Sequence, residues 1–356
     1  MDIEGFCRDL IGWFNDEKRD LPWRKDQDPY KIWVSEIMLQ QTRVDTVIPY
    51  FNRFMEQFPT IEALSMAEEE KILKAWEGLG YYTRACNLQK AAQEICAKHH
   101  SKFPRDFDDI LALPGIGRST AGAIASIAFN EPKPILDGNV VRALTRVFGI
   151  TENPRDKQTN SQLWQLAEIL VQNSKFKTQN SKRSCSQLNQ SLMELGALIC
   201  TPRNPKCLVC PIQKLCVAFR EDRVAELPNL GRRITPTNRR FIAFVMSRRG
   251  KFLVRQRPAG VVNANLWEFP NVEPGEPASH EAARKVFGFN SFTLRPLCSL
   301  KHSITRFRIS LDVFHAELAG LPKKFPFHGR WCSLRELEQL SFPSAHRKIL
   351  ARLKSL

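Results

Sequence analysis

Four cysteines, Cys200, Cys207, Cys210 and Cys216, follow one another with gaps of six, two and five residues. Thiolates are soft ligands, and four that converge select zinc or an iron–sulfur cluster. The unequal gaps suit a group larger than one tetrahedral ion, so [4Fe–4S] is expected over a zinc ribbon of two short C-x-x-C pairs. Four unrelated buried thiols, or two disulfides, are the alternative. Elsewhere, Glu36 interrupts the apolar run Trp33-Val-Ser-Glu-Ile-Met-Leu. Burial there would keep its proton near neutrality and fit it for general-acid work; a surface-facing Glu, or one paired with Arg24, would explain the same spacing. Asp137 follows Pro-Ile-Leu at the mouth of a helix. It is an N-cap, or a carboxylate held close to whatever the preceding turn binds. That turn, Leu113-Pro-Gly-Ile-Gly-Arg-Ser-Thr, carries Gly115 and Gly117 two apart. Such glycines permit left-handed backbone and leave amides bare, and with the next helix N-terminus they cradle a phosphate without reading sequence. An ordinary helix–helix turn is the other reading.

The elements that must position these residues are mostly helices. Apolar spacing with Gly and Pro punctuation predicts helices over Lys31–Gln41, Thr42–Phe58, Ala67–Trp76, Tyr82–His99, Phe107–Leu113, Ser119–Phe129, Asn139–Phe148, Thr159–Val171 and Gln187–Ile199. Thr60 and Asp106 stand where N-caps are useful. Residues 174–187 are polar without period and read as a flexible loop. Residues 222–238 hold two Pro and a Gly and read as a linker between a helical region, 1–221, and an α+β region, 239–356. In the latter, Phe241–Met246 and Lys251–Gln256 flank a plausible hairpin turn, and Phe307 to Val313 alternates as a half-buried strand does. Ser279–Phe287 and Ala345–Leu356 read as helices.

A chain of 356 residues has room for two or three domains. Lys and Arg exceed Asp and Glu by only 2 over residues 1–221 but by 14 over 222–356, which together make the formal net charge of +16. A polyanionic partner is expected, and basic pairs recur at Arg232-Arg233, Arg239-Arg240 and Arg248-Arg249. The first residues carry acids where a signal peptide would carry basic residues, and no run approaches the roughly 18 apolar residues of a membrane span. The expectation is a soluble cytoplasmic protein, bacterial and nucleoid-associated, whose six other cysteines are scattered as a reducing compartment allows.

In combination these features resemble the MutY family of adenine DNA glycosylases, in the helix–hairpin–helix superfamily that includes endonuclease III. The resemblance is carried by Leu21-Pro-Trp-Arg, Ser35 to Val44, Gly78-Leu-Gly-Tyr-Tyr, the Gly115–Gly117 hairpin, Ile135-Leu-Asp-Gly-Asn-Val and Glu194 to Cys216, and extends more loosely over the rest. It implies a multidomain chain: an all-α helix–hairpin–helix glycosylase with six-helix and iron–sulfur subdomains, then an α+β Nudix-like domain. The cluster loop would be 200–216. It implies a monofunctional enzyme, a monomer on double-stranded DNA, that removes adenine opposite 8-oxoguanine or guanine in base excision repair. Glu36 would protonate the flipped adenine, Asp137 would stabilise the cationic sugar, and Asn139 would orient Asp137 or water. Gln41 and Tyr81 match residues that wedge into the base stack, Thr42 one near the opposing base, and Glu194 an acid behind the reacting groups. Gly115, Gly117 and Ser119 would meet DNA at the hairpin, and Arg203 and Lys206 at the cluster loop.

Ser119 stands where related lyases carry a nucleophilic Lys, which excludes a Schiff base at that position. The Nudix-like domain is expected to read 8-oxoguanine through Ser303, Ile304, Thr305 and Arg306, where the family commonly has Phe-Ser-His. Only Glu276 and Glu281 occupy its would-be Nudix helix, too few acids to hold magnesium for pyrophosphate hydrolysis. Two other functions compete: a lesion-binding protein without catalysis, and a Nudix hydrolase fused to a DNA-binding module.

Overall fold

The computed structural model describes residues 2–177, 183–231, 235–273, 279–288, 292–304, 306–318 and 327–355. Helices come first: α1 (Ile3–Glu17), α2 (Pro29–Leu39), α3 (Val44–Gln57), α4 (Ile61–Met66), α5 (Glu69–Ala75), α6 (Thr83–Lys98), α7 (Phe107–Ala112), α8 (Arg118–Phe129), α9 (Gly138–Phe148), α10 (Lys157–Lys177), α11 (Ser184–Leu198) and α12 (Val217–Arg220). Then follow β1 (Thr237–Arg248), β2 (Lys251–Gln256), β3 (Trp267–Glu268), β4 (Asn271–Val272), α13 (Ser279–Phe287), β5 (Phe292–Ile304), β6 (Phe307–Leu318), β7 (Gly329–Ser333), α14 (Leu334–Gln339) and α15 (Ser344–Leu353).

The chain divides into two compact units. One comprises Met1–Met66 and Asn87–Arg233, the other Ala67–Cys86 and Ile234–Leu356. Residues 67–86, read from sequence as part of the helical region, thus group with the C-terminal unit. Residues 222–231, read as linker, include Leu227, whose carbonyl accepts from Arg146 Nε at 2.8 Å.

In the helical unit, α2 is apolar almost all round, with Ile32, Trp33, Val34, Ile37 and Met38 buried, so it must run through the interior. Asp28 caps it by accepting from Tyr30 N, and Pro29 supplies its first turn. The small residues of α8 let other chain approach closely: a Cβ on Gly122 would lie 2.1 Å from the Pro134 carbonyl. Residues 134–137 therefore cross α8 at contact distance and deliver Asp137 to the start of α9. Two differences from the sequence reading stand out. Helix α1 forms on a buried stripe of Phe6, Leu10, Ile11 and Phe14. The loop expected over 174–187 is helical at both ends, in α10 to Lys177 and in α11 from Ser184. The buried Ser174 hydroxyl bonds back to the Val171 carbonyl at 2.7 Å, so polarity there does not oppose a helix. Residues 178–182 of that loop lie outside the described residues.

The C-terminal unit is a mixed sheet in the order β3-β2-β1-β6-β5, with β4 also on β1 and β7 on β2. β1 and β6 are parallel, and the other pairings are antiparallel. Arg249 and Gly250, at φ 47° and 75°, close the β1–β2 hairpin as a two-residue turn requires. Alternation sorts the faces: Ala243, Val245, Leu311 and Val313 pack with Phe342, Ile349 and Leu350, while Ile242, Phe244 and Met246 pack with Ala283 and Phe287 of α13. No described helix is long and apolar enough to cross a membrane.

Candidate active site

A cavity of about 740 Å³ opens in the helical unit, bounded by residues 19–24, the C-terminal half of α2 with 39–44, the start of α8, residues 135–142 and one face of α11. Glu36 and Asp137 both line it. Both readings of Asp137 hold at once. It caps α9, its Oδ1 accepting from Asn139 N at 2.9 Å and Val140 N at 2.8 Å, and it also faces the cavity. Asn139 Nδ2 donates to Asp137 Oδ2 at 3.3 Å, while Asn139 Oδ1 accepts from Arg142 at 2.8 Å. The Asn139 amide is thereby fixed as a donor toward the acid. Burial pushes the Asp137 carboxyl up, and the two backbone amides, Asn139 and the charge of Arg142 oppose it.

Glu36 has no such donors among its causes of shift. Burial first, and the negative charge of Asp137 second, raise its carboxyl to about 7, against the opposing pull of Arg24. The pairing of Arg24 considered from sequence goes elsewhere. Arg24 donates to both oxygens of Glu194, at 3.2 and 2.9 Å, and Arg19 does the same at 2.8 Å each, with its backbone N–H adding a bond at 3.1 Å. Although burial of Glu194 works in the opposite direction, these donors hold it at about 2. Two arginines and Glu194, whose carboxyl they lower, thus sit in the same cavity wall as Glu36, whose carboxyl is raised. Arg19 was not singled out from sequence, since an Arg in a charged N-terminal stretch reads as surface; only the packing of α1 against α11 explains its place.

The hairpin is as expected at Gly115, where φ is +80° and a Cβ would meet Asn87 Cβ at 2.7 Å. It differs at Gly117, which has φ −94° in extended backbone and open space where a Cβ would be. Gly117 therefore does not supply a left-handed turn; it precedes α8 with no side-chain cap, leaving the first amides of that helix without one. Ser119 lines the cavity, and its hydroxyl accepts from Leu136 N at 3.2 Å, one residue before Asp137. Gln41, at φ +55°, and Thr42 also line the cavity. Tyr81, at φ +47° and 46 % exposed, belongs to the other unit.

All ten cysteines are free of disulfides. Among the described residues no three His, Cys, Asp or Glu side chains converge on a single-ion site; the four clustered thiols instead line a cavity of about 20 Å³. Burial, with the neighbouring sulfurs, raises Cys207, Cys210 and Cys216, Cys210 to about 12. That penalty on thiolates is what a bound cationic group removes, so the donor set fits an iron–sulfur cluster. Arg146 donates to Cys200 Sγ at 3.3 Å and to Thr201 O at 2.8 Å. Arg203 and Lys206 are exposed on the loop between Cys200 and Cys207.

In the C-terminal unit Ser303 and Ile304 end β5 opposite Arg308 and Phe307, and Thr305 lies outside the described residues. Arg306 is exposed and its guanidinium lies 5.2 Å from the Phe307 ring, with Arg239 at 5.1 Å. An aromatic ring is thus present three residues beyond Ile304, a residue that sequence reading had treated only as part of a strand. Of the basic pairs, Arg239 is bonded to Glu273 and Arg240 to Asp312, so two charges counted toward DNA are already matched; residues 232 and 233 lie outside the described residues. Glu281 pairs with Lys285 at 3.8 Å, and Glu276 lies outside the described residues.

Residues 34–181 match the family model of HhH-GPD superfamily base excision DNA repair proteins, residues 200–216 the iron–sulfur binding domain of endonuclease III, and residues 242–352 the NUDIX domain. Over 99% of its length the chain is 33% identical to an adenine DNA glycosylase of Buchnera aphidicola subsp. Schizaphis graminum, 100% of which is covered. It is 32% identical to the adenine DNA glycosylase of Homo sapiens, over 98% of this chain and 74% of that protein. Among solved structures, a thermostable thymine-DNA glycosylase superposes with TM-score 0.54 at 30% identity, over 62% of this chain and 97% of that one.

Proposed function

Because the chain belongs to the adenine DNA glycosylase family, enzymes that hydrolyse the N-glycosidic bond of adenine in base excision repair, we propose that Glu36 and Asp137 divide the work of that hydrolysis. The observation that carries this reading is their shared cavity with unlike surroundings. Glu36, raised to about 7, keeps a proton to give. Asp137, already holding two amides and the Asn139 side chain, is the one better furnished to carry the charge.

Adenine must leave the base stack to reach such a cavity. Glu36 then protonates the leaving base, Asp137 stabilises the positive charge developing on the sugar until water adds, and Asn139 keeps Asp137 aimed. Among the described residues no lysine lines the cavity; with Ser119 in place of an amine, hydrolysis without a Schiff base, and hence a monofunctional glycosylase, is the supported course.

Bare amides at the start of α8, the Gly115 turn, and Arg203 and Lys206 would hold phosphates. Gln41, Thr42 and Tyr81 would meet the bases around the vacated position. The chain carries a [4Fe–4S] cluster; Cys200, Cys207, Cys210 and Cys216 would bind it, and the group fastens the loop that presents those cations. We assign catalysis to the helical region and reading of the opposing base, 8-oxoguanine or guanine, to the Nudix-like region through Ser303–Arg306. Single-turnover release of adenine from 8-oxoguanine:A, G:A and T:A duplexes tests this. Release from the first two and not the third is expected; no release from either mispair by cluster-loaded protein refutes it.

A further inference from the structure

Residues 67–86 are joined to the C-terminal unit by bonds at both ends and in the middle. Glu69 accepts from Asn265 Nδ2 at 2.7 Å and Glu70 from Trp267 Nε1 at 3.0 Å. Lys74 donates to the Leu340 carbonyl at 3.0 Å. The Glu77 carboxylate accepts from Phe342 N at 2.9 Å and from Lys74 at 2.8 Å, and forms an ion pair with Arg347 at 3.3 Å. Tyr82 Oη donates to the Phe342 carbonyl at 3.3 Å and accepts from Gly78 N at 3.2 Å. Both backbone groups of Phe342 are therefore gripped by the two flanks of the turn 78–81. Phe342 itself is anchored, its ring fully buried and stacked on Phe269.

The turn between those flanks is unusual. Gly78, Gly80 and Tyr81 all have positive φ, at 109°, 71° and 47°. Trp76 Nε1 donates to the Gly80 carbonyl at 3.1 Å, and Arg84 to the carbonyls of Leu79 and Gly80 at 3.2 Å each. An aromatic L-residue takes a left-handed conformation only where its surroundings impose it. What this one gains is presentation: the Tyr81 ring stands half exposed with the Arg84 guanidinium 5.5 Å from it.

We infer that Glu77 and Tyr82 are positioning residues, which fasten to the C-terminal unit the turn that presents Tyr81. Insertion of Tyr81 and reading through residues 303–306 are then two acts of one compact unit, although more than two hundred residues separate them in the chain. The inference rests on the reading above that Tyr81 meets DNA.

The test uses full-length, cluster-loaded protein. In a Glu36→Gln background, 2-aminopurine placed beside 8-oxoguanine reports ring insertion without turnover. Tyr81→Ala should abolish the fluorescence change on binding. Tyr82→Phe, which removes only the clamping hydroxyl, should reduce it, as should Trp267→Phe, which removes one remote joint. With Glu36 intact, Tyr82→Phe, which loses both bonds of the hydroxyl, should slow adenine release from 8-oxoguanine:A at least about fivefold, the effect of one such bond, and should do nothing further in a Tyr81→Ala protein. A full effect of Tyr82→Phe in the Tyr81→Ala background, or an unaltered fluorescence change, overturns the inference. Failure of the wild-type protein to release adenine, with the fluorescence pattern as described, would refute the excision reading and leave this one standing.

Discussion

Glu36→Gln separates what the Glu36 proton does from what it costs to keep. Burial and the charge of Asp137 move this carboxyl from the ordinary 4.5 to about 7. Between those two values the folded protein holds a proton that the unfolded chain has released, so stability falls as pH rises through the window. Its contribution is fully present below about pH 4.5 and lost above about 7; the gap is worth on the order of 3 kcal/mol. Gln stays neutral throughout and has no such term. The variant should therefore gain on wild type by on the order of 3 kcal/mol between acid and about pH 8, whatever constant offset the amide brings. Denaturant unfolding of the helical unit at a series of pH values measures this directly. Adenine release should meanwhile fall by at least about 100-fold, the smaller end of general-acid effects. A stability difference flat across pH 4.5 to 8 would show that Glu36 titrates as an ordinary carboxylate, and substantial release by the Gln variant would show that its proton is not used.

Glu194→Gln should free the charge of Arg24 to pull on Glu36, so that the alkaline limb of the single-turnover pH profile moves to lower pH; an unmoved limb contradicts the arrangement. The same carboxylate, held at about 2 rather than 4.5, stabilises the fold above 4.5, and that contribution, on the order of 3 kcal/mol, is lost as pH falls toward 2. Gly196→Ala would place a Cβ 2.5 Å from Asn139 Cβ; overpacking should cost roughly 1–3 kcal/mol and reduce excision through a displaced Asn139 with the cluster retained, which a normal cluster absorbance with normal activity would rule out. Arg203→Ala and Lys206→Ala should each weaken duplex binding and lower the slope of log affinity against log salt by about 1; filter binding over a salt series that gives the wild-type slope would remove them from the DNA contact.

Sequence made the residues proposed for the site visible because each broke a local pattern. Glu36 is an acid in an apolar run, Asp137 a carboxylate at a helix mouth, and the four thiols stand too close together for chance. Most helix positions followed from period, and β6 from alternation, because burial imposes both patterns; α1, α4 and the long strand β5 were not anticipated. What sequence did not disclose was set by partners distant in the chain. Arg19 and Arg24 lie about 170 residues from the Glu194 they bind, and no periodicity reports such a pair. The placement of residues 67–86 was hidden likewise, since a helix held on Phe342 and Trp267 has the same amphipathic spacing as one held anywhere else. Charge counting also overreached: Arg239 and Arg240 looked free for DNA until the structure put Glu273 and Asp312 beside them.

The cysteine run and the carboxylates, separate in sequence, are joined through one helix. Asp137 caps the N-terminus of α9, and one turn along, Arg142 bonds at once to Asn139 Oδ1, to the Gly196 carbonyl at 2.8 Å and to the Cys200 carbonyl at 2.7 Å. A second turn along, Arg146 reaches Cys200 Sγ and the Thr201 carbonyl, and its own carbonyl lies 3.6 Å from Cys216 Sγ. Two arginines spaced by four thus face the same side of α9 and grip Cys200. The close α9–α11 approach that Gly196 permits brings Cys200, just past the end of α11, within their reach. A cluster held by the four cysteines would fix the Cys200 backbone, and through Arg142 the orientation of Asn139 against Asp137. A cluster bound there would act on the chemistry without touching substrate, by holding the far end of a chain of bonds that runs from Cys200 through Arg142 and Asn139 to Asp137.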